Sequence, residues 1–155
     1  MPSFHITDQE DEMIPIAKLR EQHDEISELA QVLLLLIRND TTRGARVVRQ
    51  IFQQLSDLLH AHFELEEKTL YAELLNHKDK EIKDTAWRFV SGAPHLKKFF
   101  TLYARHWCDL GDSKEECDAF IKESEEIFHI LGERVKVENE QFYRLVDKLQ
   151  AGAKV

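Results

Sequence analysis

His62-Phe63-x-x-Glu66-Glu67-x-x-Leu70-Tyr71 lies in the middle of one long helical pattern, and Arg134-Val135-x-x-Glu138-Asn139-x-x-Phe142-Tyr143 lies in the middle of another. Laid on each other, the two stretches match at the Glu, at the final Tyr and at the apolar pairs Phe63/Val135 and Leu70/Phe142. Residues four apart share one face of a helix, so His62 projects with Glu66 and Arg134 with Glu138. Where such a face turns into the core of a bundle, His-x3-Glu is the side-chain arrangement of a carboxylate-bound metal site. The second stretch keeps the Glu and has Arg in place of His. The chain therefore carries one complete half of such a site and one altered half.

Outward from these stretches the apolar periodicity predicts an all-α chain of four helices, at about 15–38, 42–76, 79–110 and 113–150, following an N-terminal arm over 1–14. Thr7 and Glu10 have capping-box spacing within the arm, and Pro15 marks where the regular helix starts. The inward positions of helix one read Leu19, His23, Ile26, Ala30, Leu33 and Ile37. Helix two presents Val48, Phe52, Leu55, Leu59, His62, Glu66 and Leu70. Helix three presents Phe89, Ala93, Leu96, Phe100, Tyr103 and Trp107, with a break or kink expected at Ser91-Gly92-Ala93-Pro94. Helix four, capped by Asp112 or Ser113 with Glu116, presents Phe120, Ser124, Ile127, Leu131, Arg134, Glu138, Phe142, Leu145 and Leu149. Short turns make neighbours antiparallel, giving a single-domain, up-down-up-down four-helix bundle over 1–155. On these seams His23, His62, Glu66, Arg134 and Glu138 stand where Leu or Ile would be ordinary. Burying an isolated charge costs several kcal/mol, so these groups need one another or a metal. They fall at matching depths.

Composition narrows the partners. The 155 residues carry 29 acidic and 21 basic side chains, a formal charge of −8, which argues against nucleic acid and anionic membrane as partners. Nine Phe against five Gly and three Pro suit long helices with short turns. Cys108 and Cys117 form no disulfide or metal framework, Met1 to Glu12 has no apolar signal core, and the longest apolar run, Val32 to Ile37, is too short to span a bilayer. The expectation is a soluble, cytoplasmic protein, monomer or homodimer. The Val32–Ile37 run is apolar on every face, to be covered either by the arm or by a protein partner.

In these residues the chain resembles the hemerythrin-like HHE cation-binding family over nearly its whole length. The resemblance implies a four-helix bundle around a non-haem di-iron centre, with a His from helix one, His-x3-Glu from helix two, a His from helix three and His-x3-Glu from helix four. Members bind or sense oxygen or nitric oxide, handle iron, or serve in stress responses. Leu19-x3-His23-Asp24-x-Ile26 matches the helix-one motif, and the His62 stretch matches helix two. The helix-three His position lands on Ala93, and the helix-four one on Arg134. His95 lies two residues past Ala93, about 200° round a regular helix, and replaces it only if a Pro94 kink turns it inward. His129 and Glu133 also form a His-x3-Glu pair, but it faces away from Arg134. The resemblance thus carries over His23, His62, Glu66 and Glu138 as metal ligands, with His95 as a fifth on the condition of that kink.

Two functional readings stand at this point. In one, an incomplete ligand set holds iron, one ion rather than two, and acts as a sensor or regulator toward a small diatomic ligand or toward iron. In the other, the Arg134 guanidinium replaces the inorganic charge between Glu66 and Glu138, and a metal-free bundle works through a protein partner. The second has a weaker resemblance behind it, to the Rsd/AlgQ sigma-factor regulators, on Arg134-x3-Glu138 and the His62-Phe63 pair. No nucleophile or acid–base pair marks a substrate pocket, so an enzyme is not expected.

Overall fold

A computed structural model describes residues 14–108 and 111–153, and among these it contains four helices and no strand. Helix α1 is Ile16–Arg38. Helix α2 spans 46–74 as an α-helix Arg46–Leu65, one π-helical stretch Glu66–Tyr71 and a final turn Ala72–Leu74. Helix α3 is Lys80–Cys108. Helix α4 spans 114–153 as Lys114–Val137, a second π-helical stretch Glu138–Tyr143, and Arg144–Ala153. α1 packs on α2 and α4, α3 packs on α4, and the end of α2 closes the ring against α3. The Thr7–Glu10 capping box and most of the arm lie outside the described residues.

Local chemistry explains the boundaries. α2 begins at Arg46 rather than near residue 42 because the turn before it serves the end of α1. The Thr42 hydroxyl donates to the Leu36 carbonyl at 2.6 Å, and buried Arg43 donates from Nε to the Ile37 carbonyl at 2.6 Å. These carbonyls have no donor within the helix. Asp79 Oδ1 accepts from the amides of Glu81 and Ile82 at the start of α3. At the start of α4, Ser113 Oγ accepts from the Glu116 amide, the N-cap half of the expected capping box, and the Glu116 carboxylate returns to the Ser113 hydroxyl rather than to its amide. The break expected in helix three is absent: α3 runs through Pro94. Phe89, Ala93, Leu96 and Phe100 are all buried, so packing on both sides of the proline keeps the helix continuous.

The core divides into two apolar clusters. One joins Leu33, Phe52, Leu59, Leu96, Tyr103, Phe120 and Leu131 with their neighbours. The other joins Leu19, Leu70, Leu74, Phe89, Phe142 and Val146. α1, α2 and α4 pass from one cluster to the other at His23, at His62 and Glu66, and at Glu138, and α3 does so at Ala93, so the polar residues of three helices form a layer between two hydrophobic plugs. Val32 and Leu35 of the apolar run are exposed, at 41% and 69%, while Leu33 and Ile37 are buried. Among the described residues no helix is long and apolar enough to cross a membrane.

Candidate metal centre

Four side chains from three helices meet in the polar layer. His23 of α1, His62 and Glu66 of α2, and Glu138 of α4 each offer one ligand atom, and these atoms all lie within 4.8 Å of one another. Their exposures are 1%, 3%, 0% and 1%, so water does not satisfy them. His23 Nε2 lies 2.9 Å from Glu138 Oε1 and 3.1 Å from His62 Nε2. His62 Nε2 lies 3.3 Å from Glu66 Oε2 and 3.9 Å from Glu138 Oε1. Ligand atoms about 2.0–2.2 Å from a shared ion stand ~3.0–3.5 Å apart along the edges of its polyhedron, so the separations suit one ion.

Both imidazoles are held by amides on their other nitrogen. His62 Nδ1 is 2.8 Å from Gln22 Oε1, and His23 Nδ1 is 2.9 Å from Asn139 Oδ1. An amide oxygen accepts, so each Nδ1 carries hydrogen and each Nε2 turns a lone pair inward. Two lone pairs 3.1 Å apart repel unless a proton or a metal cation lies between them. The donor set therefore fits a metal. The carboxylates supply the field for either. Burial disfavours charge on His62, but hydrogen bonds to Glu138 and Glu66 and their negative charge outweigh it, and its pKa is raised to about 9. For Glu138, burial is overcome by His23, His62 and Arg134, which hold it well below the usual carboxylate range. Glu66, buried and beside a second carboxylate, is pushed up.

Arg134 closes the layer from the α3 side. Its Nη2 lies 3.1 Å from Glu138 Oε2 and donates to the Tyr71 hydroxyl at 3.0 Å and to the Phe89 carbonyl at 3.1 Å. Its guanidinium carbon sits 5.8 Å from the Phe89 ring centroid and 6.0 Å from that of Phe63. A Cβ on Gly92 would stand 3.3 Å from Nη1, so the glycine leaves room that the guanidinium uses. Arg134 does not bridge the two glutamates evenly. It holds Glu138 and reaches Glu66 only through Tyr71, whose hydroxyl is 3.5 Å from Glu66 Oε1.

The family model described as the hemerythrin HHE cation binding domain matches residues 14–146. The chain belongs to this family. No curated protein and no solved structure matches it. The HHE chain brings His23, His62, Glu66 and Glu138 together and leaves His95 out. On the unbroken α3, His95 is exposed on the surface, while Ala93 takes the inward position with no ligand atom. His60, His106 and His129 are likewise exposed.

Sequence reasoning missed two tyrosines. In an α-helix Tyr71 and Tyr143, five residues past the glutamates, would face about 140° away from them. The i→i+5 ladder of a π-helix brings them back over the glutamates, and each π stretch starts at the glutamate and ends at the tyrosine. The pairs cross between helices. Tyr143 of α4 donates to Glu66 of α2 at 2.6 Å, and Tyr71 of α2 donates to Glu138 of α4 at 3.1 Å. The same extra residue shifts the seam beyond: Val146 is buried, whereas the expected Leu145 and Leu149 are only half-buried.

Proposed function

We propose that this HHE domain holds a single transition-metal ion, iron, between His23, His62, Glu66 and Glu138, with Arg134 as the fixed cation where the family's second ion would lie. The reading rests chiefly on the inward pair of Nε2 lone pairs, fixed by Gln22 and Asn139 and faced by two carboxylates. Imidazole with carboxylate is a donor set that suits non-haem ferrous iron. Such an ion, when bound, would supply a redox-active centre. The burial of all four side chains favours a diatomic molecule or the metal itself over a bulky substrate. A groove of about 420 Å³ between α3 and α4 is lined by Phe89, Leu96, Phe99, Ile130 and Arg134, the one member of the polar layer that it touches. We read the function as sensing or regulation toward oxygen, nitric oxide or iron, by binding rather than catalysis.

Anaerobic loading with ferrous iron followed by desalting should leave close to one iron per chain, and His62→Ala should lower this to near zero. Wild-type protein that stays metal-free, both as purified and after loading, removes the reading and leaves a bundle that works through protein contact.

The same site sets a pH dependence. The folded pKa of His62, about 9, lies above the ordinary histidine value of 6.5, so its proton stabilises the metal-free fold fully below pH 6.5 and progressively less as pH rises through 9. Chelator-treated protein should lose on the order of 3 kcal/mol across that window, read by denaturant unfolding. Iron on Nε2 takes the proton's place, so loaded protein should show little of this loss. Equal slopes with and without iron would count against His62 as a ligand.

A further inference from the structure

The two tyrosines are not equivalent, and the difference assigns a role to one of them. The four ligand atoms nearest one another are His23 Nε2, His62 Nε2, Glu66 Oε2 and Glu138 Oε1. The Tyr143 hydroxyl touches this inner set, at 2.6 Å from Glu66 Oε2 and 3.2 Å from His23 Nε2. The Tyr71 hydroxyl touches only the outer oxygens, Glu66 Oε1 and Glu138 Oε2, and Arg134. Tyr143 is fully buried, and its ring stacks on His23 with centroids 4.9 Å apart and planes 12° from parallel. Its oxygen is thus fixed by the ring at one end and the π stretch at the other.

The geometry points to Tyr143 as a fifth ligand, its phenolate oxygen completing a His23–His62–Glu66–Glu138–Tyr143 set around a trivalent ion. This deepens the single-metal reading and depends on it. Charge favours the same assignment. A ferrous ion with two carboxylates and the Arg134 guanidinium leaves one positive charge in the layer. A ferric ion with the phenolate added leaves the same charge, so oxidation with loss of the phenol proton puts no new charge in a buried site. Beside ferrous iron Tyr143 keeps its proton and its bond to Glu66. If a one-electron oxidant took an electron from a bound ferrous ion, Tyr143 would give up its phenol proton, in the end to solvent, and its oxygen would serve as the fifth donor. Tyr71, in the outer ring, holds Arg134 in place and stays protonated.

Protein loaded anaerobically with ferrous iron and oxidised with ferricyanide, one electron per iron, should develop a visible phenolate-to-ferric charge-transfer band. The band should be lost in Tyr143→Phe and kept, shifted, in Tyr71→Phe, with iron content measured on each sample. Resonance Raman on the wild type, excited in that band, should show phenolate ring modes and needs no variant, so it decides the case if Tyr143→Phe fails to fold or to hold iron. Ferric protein with one iron per chain and no such band, or a band that survives in Tyr143→Phe, overturns the assignment and leaves the single-metal reading standing. Absence of iron in the wild type overturns both.

Discussion

Arg134→Met should lower the stability of the metal-free protein by about 3 kcal/mol, the lower end of the cost of removing one partner from a buried ion pair. The guanidinium is 14% exposed and its partner Glu138 only 1%, so water does not take its place. Methionine fills similar space between Phe63 and Phe89, which separates loss of charge from loss of packing. Glu138 keeps its contacts with His23 and Tyr71, hence the lower end of the range. The Phe89 carbonyl and the Tyr71 hydroxyl each lose a charged donor. In a chain of this length the shift in Tm is roughly 6–12 °C. Iron bound at His23 and Glu138 supplies the missing positive charge, so the loss in loaded protein should fall to about 1 kcal/mol, no more than a net hydrogen bond. Urea unfolding with and without chelator measures both. A loss of equal size in the two states would mean that Arg134 acts as packing alone, and that no cation shares its task.

The helices and most of their inward faces could be read from the chain because the apolar spacing is regular and the turns are short. Leu19, Ile26, Leu33, Val48, Leu55, Leu96 and Ile127 are all buried where periodicity asks for them. The shared depth of His23, His62, Glu66 and Glu138 was also legible, since four buried polar residues at matching positions have few ways to be satisfied except together. What could not be read was the backbone change at the site itself. A single extra residue per turn, starting at each glutamate, turns Tyr71 and Tyr143 inward and moves the seam from Leu145 to Val146. The repeat carried a signal for this, because both copies end on a tyrosine five residues past the glutamate, a spacing that makes no sense on an α-helix. Gln22 and Asn139 were hidden for another reason. Amides on a helix flank read as solvent-facing until a histidine from another helix is found against them. Pro94 misled in the opposite direction: local chemistry predicts a break, and packing on both sides of it overrides that preference.

The double variant Ala93→His with Arg134→His should raise the iron content from one ion per chain to two. Both positions are those at which the family places its remaining histidines. Ala93 is 5% exposed on the inward seam of α3, and Arg134 faces the same layer from α4. On the single-ion reading, two features of the chain oppose a second ion. The first is the lack of donor atoms, since Ala93 offers none and Arg134 offers only N–H groups. The second is repulsion: a divalent ion about 4 Å from a guanidinium costs roughly 8 kcal/mol at an effective dielectric near 20. Replacing Arg134 alone removes the repulsion and adds one nitrogen, which with one carboxylate is too few donors for tight binding, so that variant should remain at one iron. Ala93→His alone adds a donor but keeps the guanidinium, and should also remain at one. Only the pair removes both obstacles, and the space above Gly92 that the guanidinium vacates receives the new ring. Iron per chain, measured on folded protein after anaerobic loading, distinguishes the outcomes. A folded double variant that still binds one iron would show that something other than Arg134 and the missing histidines limits the site to a single ion.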